Sequence, residues 1–201
     1  MTSVLSFAVT WDYRCPFARN AHEFILDAVE GGATWDITYV PFFLDTSHVA
    51  EGISAWESPD NIPNLLSLEA GIVVRDRFPE VFPAVHRSLF AARHDDRGDL
   101  RDRSVVAGAL ERAGADPVAV LAEVDAGWPR KVARTEHEQV VDDHEVFGVP
   151  TFILDGQAVF VRLMTRPEGD TAGARATVDR VLALITDHPE INEFKHTKLA
   201  R

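Results

Sequence analysis

The sequence contains a single cysteine, Cys15, among 201 residues. An intramolecular disulfide is therefore excluded, which fits a reducing compartment. The chain also lacks any apolar run close to the roughly 20 residues that span a bilayer. Its N-terminus has no basic start followed by a long apolar segment, the pattern of a secretory signal. We therefore expect a cytoplasmic protein whose stability owes nothing to disulfide bonds.

Basic residues are scarce as well. Twenty Lys and Arg residues stand against 32 Asp and Glu residues, which gives a formal net charge of −12. A surface of this sign repels phosphate backbones and anionic lipids, so we expect no nucleic-acid partner and no membrane partner. The hydrophobic content of 46% is enough for a substantial core, in one domain or in one domain that carries an insertion.

The N-terminal part of the chain has the pattern of a β-α-β unit. Two β-rich apolar runs, at residues 4–10 and 34–43, are typical of short strands. Between them, Pro16 to Glu30 carries apolar residues at helical spacing, and Gly31 and Gly32 end this helix. A right-handed crossover between two parallel strands follows from this order.

The C-terminal part has the pattern of a β-β-α unit. Within residues 151–163, two β-rich runs flank Asp155 and Gly156, a dipeptide that favours a two-residue hairpin turn. Residues 171–187 then repeat apolar positions at helical spacing and predict a final helix.

The middle of the chain shows no alternating strand pattern. It predicts helices at residues 61–69, 82–93, 101–113 and 117–145, the last one broken near 127–129. No composition shift marks a flexible linker on either side. We therefore predict one α/β domain from residues 1–44 and 146–201, with residues 45–145 as a helical insertion subdomain.

Two motifs connect these halves to a known family. The first helix begins with CPFA, and the β-β-α half is introduced by FGVPTF. In this order and at this distance, the motifs resemble the DsbA-like branch of the thioredoxin superfamily. That branch includes FrnE-type oxidoreductases, kappa-class glutathione transferases and 2-hydroxychromene-2-carboxylate isomerases. The insertion segment LFAARHDDRGDLRDRSVVAGALERAG is also similar to DsbA-like proteins, and the tail INEFKHTK is similar to that of actinobacterial mycothiol-dependent reductases.

The resemblance implies a thioredoxin-like fold and a role for three positions. Cys15 would be the nucleophile, and Pro150 would be a cis-proline packed beside it. Val149 would offer backbone hydrogen bonds to whatever binds, as in strand addition. The departure from the family pattern is Ala18, where disulfide-exchanging members carry a second cysteine. A mixed disulfide on Cys15 therefore has no resolving cysteine in this chain, which argues against dithiol oxidase activity.

The position of Cys15 favours a working thiol on local grounds too. A cysteine at the N-cap of a helix, with Pro16 in the first turn, points its sulfur at unpaired backbone N–H groups and at the positive end of the helix dipole. Arg14 and Arg19 are expected to add positive potential. These features predict a stabilised thiolate. The alternative is a small buried residue without chemistry, as free cysteine often is.

The substrate is expected to lie along the two motifs and the loop before the first helix. The predicted substrate-binding residues are Pro16, Phe17, Ala18, Val149, Pro150 and Thr151, together with Asp12 and Tyr13, which either orient a substrate or move protons, or simply pack.

The histidines predict no metal site. His22 lies about two helical turns after Cys15, too far for contact, and is interpreted as a packing or surface residue. His137 and His144 share a helix face at spacing seven, whereas ligands on one helix more often lie three or four residues apart.

Three functions remain open at this stage. The preferred one is a monothiol oxidoreductase, in which Cys15 forms a mixed disulfide that an external thiol such as mycothiol or glutathione resolves. The second is an enzyme like the kappa transferases or chromene-carboxylate isomerases, which binds and activates a small thiol, although those relatives usually carry serine at this position. The third is a redox-inactive binding protein. The expected partners are a small thiol and a disulfide or electrophilic substrate, with no tightly bound cofactor, and a homodimer is left open.

Overall fold

The computed structural model describes residues 4–48 and 54–198 of the chain. Its strands are β1 (Ser6–Trp11), β2 (Asp36–Pro41), β3 (Thr151–Leu154) and β4 (Gln157–Phe160). Its α-helices are α1 (Pro16–Glu30), α2 (Leu66–Arg77), α3 (Phe82–His94), α4 (Arg103–Arg112), α5 (Pro117–Asp125), α6 (Trp128–His144) and α7 (Thr171–Asp187). Two short 3₁₀ helices, Leu44–His48 and Ile62–Leu65, lead into α2.

The four strands form one mixed sheet in the order β2-β1-β3-β4. β1 and β2 are parallel because α1 connects them, and β3 pairs antiparallel with both β1 and β4. Asp155 and Gly156 join β3 to β4 with positive φ angles of 50° and 77°, the conformation that a two-residue type I′ turn requires. The thioredoxin-like α/β fold expected from the sequence is thereby confirmed, as are the bounds of α1 and α7.

Each face of the sheet packs against its own layer of helices. Phe7, Val9 and Phe152 point to the face that α1 and α7 cover. Ala8 and Ile153 lie on the opposite face and belong to the other core, which the helices between β2 and β3 complete. Strand side chains alternate between the two faces, so the same strands contribute different residues to both cores.

The inserted helices follow the sequence prediction with one main difference. The helix predicted at residues 61–69 is instead a 3₁₀ turn followed by α2, which runs on to Arg77. The segment predicted at 117–145 is broken as expected into two helices, α5 and α6, which are separated at Gly127, whose φ is 77°. The division into a domain of residues 1–44 and 146–201 and an insertion of residues 45–145 stays a prediction. In the described ranges, none of the helices has the length and apolar character needed to cross a membrane.

A buried chain of hydrogen bonds joins α1, α3 and the loop after β1. His22 Nε2 lies 3.1 Å from the carbonyl oxygen of Thr10, so this nitrogen carries the proton and donates it. His86 Nε2 in turn donates to His22 Nδ1 at 2.9 Å, and the Tyr13 hydroxyl donates to His86 Nδ1 at 2.8 Å. Because burial lowers the pKa of both histidines and raises that of Tyr13, all three groups stay neutral and every bond points the same way.

The hydroxyl of Tyr13 reaches this position because α2 carries a glycine there. A Cβ atom at Gly71 would lie 2.5 Å from Tyr13 Oη and 2.9 Å from its Cε2. A side chain at position 71 would therefore collide with Tyr13.

Replacing Gly71 by alanine is expected to destabilise the fold by about 1–3 kcal/mol, because the added methyl group overpacks the core against Tyr13. The matched control is Gly108→Ala in α4, where the new methyl group meets only Arg112 Nη1 at 3.8 Å. That variant is expected to gain roughly 0.5–1 kcal/mol from helix propensity. Urea unfolding of both variants measures the difference, and equal effects would contradict the proposed contact.

Acid is expected to destabilise the protein through its buried histidines. Burial lowers the pKa of His22 and of His137 from 6.5 to about 4. The unfolded chain therefore binds protons below about pH 6.5 that the folded chain does not take up until about pH 4. Each of these two histidines is expected to cost about 3 kcal/mol of stability across that interval.

Unfolding free energies measured between about pH 7.5 and about pH 4.5 test this expectation. His137→Gln keeps one acceptor for the Phe43 N–H and one donor for the Thr46 hydroxyl, so it is expected to flatten the pH dependence. His188→Gln, at an exposed position, is the control and is expected to leave the slope in place. A slope that His137→Gln does not change would show that His137 makes no contribution to the acid sensitivity.

Candidate active site

Cys15 is the N-cap of α1. Its backbone is extended (φ −89°, ψ 118°), and its sulfur accepts a hydrogen bond from the Ala18 N–H at 3.5 Å. Pro16 occupies the first helical position, where the missing N–H costs nothing. The side chain of Cys15 is 9% exposed, so the sulfur lies just below the surface.

The start of β3 faces the sulfur from the other side. The Val149–Pro150 peptide bond is cis, and the carbonyl oxygen of Val149 lies 3.3 Å from Cys15 Sγ. Because a carbonyl can only accept, this contact places the proton on sulfur. Two threonines hold the turn: the Thr151 hydroxyl donates to the Gly148 carbonyl at 2.8 Å, and the Thr151 N–H donates to the Thr10 hydroxyl at 2.8 Å.

The sequence predicted a stabilised thiolate, and this prediction is wrong for the protein without a ligand. Burial is the largest influence and raises the pKa of Cys15 above its ordinary value. The backbone N–H groups of Ala18 and Phe17 lower the pKa, as expected at a helix N-terminus, but they do not outweigh burial. Asp12 raises it further and Arg162 lowers it. At neutral pH the site therefore holds a thiol.

Arg14 and Arg19 do not supply the positive potential expected of them. Arg14 contacts Asp12 at 2.8 Å and Asp45 at 2.8 Å, so its charge is compensated twice. Arg19 bonds Glu23 on the same helix at 2.9 Å and also pairs with Asp95. Neither guanidinium is among the charges that lower the pKa of Cys15. Closeness to the cysteine in the sequence did not predict the effect of either charge, because acidic residues from the same segment and from distant ones neutralise both groups.

The side chains of Asp12 and Tyr13 make the contacts of structural residues. Asp12 is buried, and its carboxylate accepts hydrogen bonds from Arg14 and from the Leu44 N–H. The Tyr13 side chain is fully buried and turned toward His86, while its carbonyl oxygen accepts a hydrogen bond from His94 Nε2 at 2.9 Å. Both residues fix the loop before Cys15. Their side chains offer little to a substrate.

The remaining predicted site residues differ in their exposure to solvent. Pro16 is exposed and Phe17 is half-buried, so both can meet a ligand directly. Ala18, Val149 and Thr151 are buried, and they contribute backbone groups.

His22 and His137 are buried in the interior and form hydrogen bonds there. His22 belongs to the buried hydrogen-bond chain described above, and it makes no described contact with Cys15. His137 accepts the Phe43 N–H through Nδ1 at 3.2 Å and donates to the Thr46 hydroxyl at 3.2 Å. His144 lines a shallow groove between β2 and α6 instead of sharing the surroundings of His137.

Arg162 is the residue of the site that the sequence did not reveal. Its guanidinium lies 5.5 Å from the ring centre of Phe17 and 5.3 Å from that of Phe160. Arg162 follows Phe160 by two positions, so continuation of the strand direction puts both on one face of the sheet. The two-residue spacing of Phe160 and Arg162 was the signal that the sequence offered. It points to Arg162 as a site residue only once the hairpin is known to lie beside Cys15.

Comparison with known proteins places the chain in a family. Residues 9–165 match the family model described as a DSBA-like thioredoxin domain. A search of curated proteins gives no significant match.

Solved structures share the fold at low sequence identity. MdbA, a thiol-disulfide oxidoreductase from Actinomyces oris, is 16% identical with a TM-score of 0.61, covering 87% of this chain and 80% of its own. A 2-hydroxychromene-2-carboxylate isomerase is 16% identical with a TM-score of 0.62, covering 91% and 98%. Reduced DsbA1 from Neisseria meningitidis is 15% identical with a TM-score of 0.57, covering 90% and 87%. With a matching model over most of its length and this fold, the chain belongs to the DsbA-like family of thioredoxin-fold proteins.

Proposed function

We propose that this protein is a monothiol oxidoreductase that exchanges disulfides through Cys15. The observation that carries the proposal is the position of Cys15 Sγ, between the Ala18 N–H of the first helical turn and the Val149 carbonyl before the cis peptide bond. A buried cysteine of purely structural use has no need of a helix N-terminus.

The proposed exchange takes place in two steps. The Cys15 thiol loses its proton, and the thiolate attacks one sulfur of a disulfide R–S–S–R. The S–S bond breaks, R–S⁻ leaves and takes up a proton, and Cys15 is oxidised to the mixed disulfide Cys15–S–S–R. A second thiol then attacks the mixed disulfide, which returns Cys15 to the thiol and releases a new disulfide. Mycothiol or glutathione is the proposed external thiol, because the chain has no second cysteine to resolve the adduct.

The hydrogen bond from the Cys15 S–H group to the Val149 carbonyl favours a second candidate function. A protonated Cys15 can donate a hydrogen bond as a serine hydroxyl does, so it can stabilise the anion of a bound small thiol without forming a bond to it. This is the thiol-activating chemistry expected of a transferase or isomerase. The two candidates differ in whether Cys15 itself becomes oxidised.

The alkylation rate of Cys15 by iodoacetamide is expected to rise with pH through a midpoint above the ordinary cysteine value of about 8.5. The reason is burial, which raises the pKa of the thiol in the absence of ligand. Mass spectrometry of the intact protein gives the rate at each pH, and Cys15→Ser gives the background. A midpoint near neutrality would contradict the balance between burial and the helix N-terminus described above.

Exposure to oxidised glutathione and to oxidised mycothiol separates the functional candidates. The monothiol proposal predicts one adduct per chain on Cys15, absent in Cys15→Ser and reversed by the matching thiol. Reduced thiol that binds by calorimetry without forming an adduct from its disulfide would favour the thiol-activating enzyme. If neither adduct nor binding occurs, the proposal fails and a redox-inactive binding protein is the remaining interpretation.

A further inference from the structure

Arg162 differs from the other arginines near Cys15 because it forms no ion pair within residues 4–48 and 54–198. Its described contacts are the two aromatic rings of Phe17 and Phe160, and the ion pairs of the described residues do not include it. Arg14, Arg19 and Arg166 all pair with acidic side chains. The chain as a whole is strongly acidic, so a guanidinium without an ion pair that acts on the sulfur distinguishes this part of the surface.

The two rings hold Arg162 in a defined place. A guanidinium that lies over aromatic faces is attracted by their electron density and loses little freedom when it binds a further group. The guanidinium carbon lies 5.5 Å from one ring centre and 5.3 Å from the other, and none of the hydrogen bonds among the described residues uses the N–H groups of Arg162. One of the rings belongs to Phe17, two residues after Cys15, so this contact holds the guanidinium of Arg162 close to the first turn of α1.

Two further observations show which titratable groups the charge of Arg162 affects. Its charge lowers the pKa of the Cys15 thiol, after the larger effects of burial and of the helix N–H groups. It also acts on Glu193 of the C-terminal tail, whose pKa is lowered mainly by Lys195 and to a smaller extent by Arg162. The charge of Arg162 thus acts both on the sulfur and on an exposed carboxylate of the chain itself.

We propose that Arg162 binds a carboxylate on the small thiol or disulfide that reacts at Cys15, so that the site selects anionic sulfur compounds over uncharged ones. This inference rests on the proposed function and adds the substrate class, which favours glutathione over mycothiol because mycothiol carries no carboxylate. The ligand's sulfur lies against Cys15 and the Val149 carbonyl, and its carboxylate meets the N–H edge of Arg162. Exchange then proceeds as written above, with the anionic half of the disulfide retained on Cys15. Arg162 is a specificity-determining residue in this arrangement, since it contacts substrate and takes no proton.

The test uses the full chain and three disulfide probes of different charge: oxidised glutathione, which is anionic, bis(2-hydroxyethyl) disulfide, which is neutral, and cystamine, which is cationic. Arg162→Gln is expected to slow adduct formation on Cys15 with oxidised glutathione by about 3- to 10-fold, as loss of a charge-assisted contact implies. The rate with the neutral probe is expected to change less than about twofold, and the rate with cystamine to rise.

Two variants serve as controls for this comparison. Arg162→Lys keeps the charge and is expected to retain most of the rate with oxidised glutathione. Arg180→Gln makes the same charge change at an exposed position on α7 and is expected to leave all three rates near wild type. The wild-type rate with oxidised glutathione is also expected to fall as salt rises from about 0.02 M to about 0.5 M, while the neutral probe is insensitive.

The outcomes separate the inference from the function on which it rests. Equal slowing of all three probes by Arg162→Gln would show that Arg162 acts on the thiolate alone, and it would overturn the inference while leaving monothiol exchange intact. Unchanged rates would overturn it in the same way. Absence of any adduct on the wild-type protein, with every probe, would overturn the proposed function and the inference with it.

Discussion

The site depends on the pairing of β1 with β3, which lie far apart in the sequence. Ala8 pairs with Ile153 and Val9 with Phe152, so the end of β1 and the beginning of β3 come together in the middle of the sheet, at one end of its strands. The loop after β1 leads to Cys15, and the loop before β3 carries Val149 and the cis peptide bond. Without this pairing, the sulfur and the carbonyl it faces would have no reason to meet. The helices between β2 and β3 are accommodated without disturbing it.

Two opposing effects act on the sulfur, and their balance decides its resting state. Backbone N–H groups at the start of α1 favour the thiolate, as the helix geometry demands. Burial against the cis-proline loop favours the thiol more strongly, and the Val149 carbonyl gives the proton a place to bond. A ligand that displaces this carbonyl contact or brings positive charge to the sulfur shifts the balance toward the thiolate. Reactivity would then be coupled to the presence of a ligand.

Local sequence pattern was sufficient for the elements that have one clear apolar face or a distinctive turn. α1 and α7 begin and end where their spacing, caps and glycines indicate, and Asp155-Gly156 forms the expected hairpin turn. α2 was misplaced because residues 66–74 are buried on every side, which removes the amphipathic period that marks a helix. Its start is visible only in the packed structure.

The chemical state of the site was harder to predict than its position. Cys15 and the loop around Pro150 follow from the two motifs, whereas the state of the thiol depends on burial, which single residues do not encode. The compensation of Arg14 by Asp45, and the position of Arg162 over Phe17, join parts of the chain that are distant in sequence. The hydrogen-bond chain from Tyr13 through His86 to His22 has the same origin, since its members come from three separate segments.

That buried chain of bonds also bears on how the site meets a ligand. Tyr13 is held by its hydroxyl, its ring and its carbonyl, and Asp12 is held by its carboxylate, so the segment leading to Cys15 is fixed before anything binds. A segment that is already ordered loses little conformational entropy on association. The affinity of a small ligand is then set by its own contacts with the sulfur, the cis-proline loop and the aromatic rim, and a weak binder can still be bound with its reacting atom in one defined position.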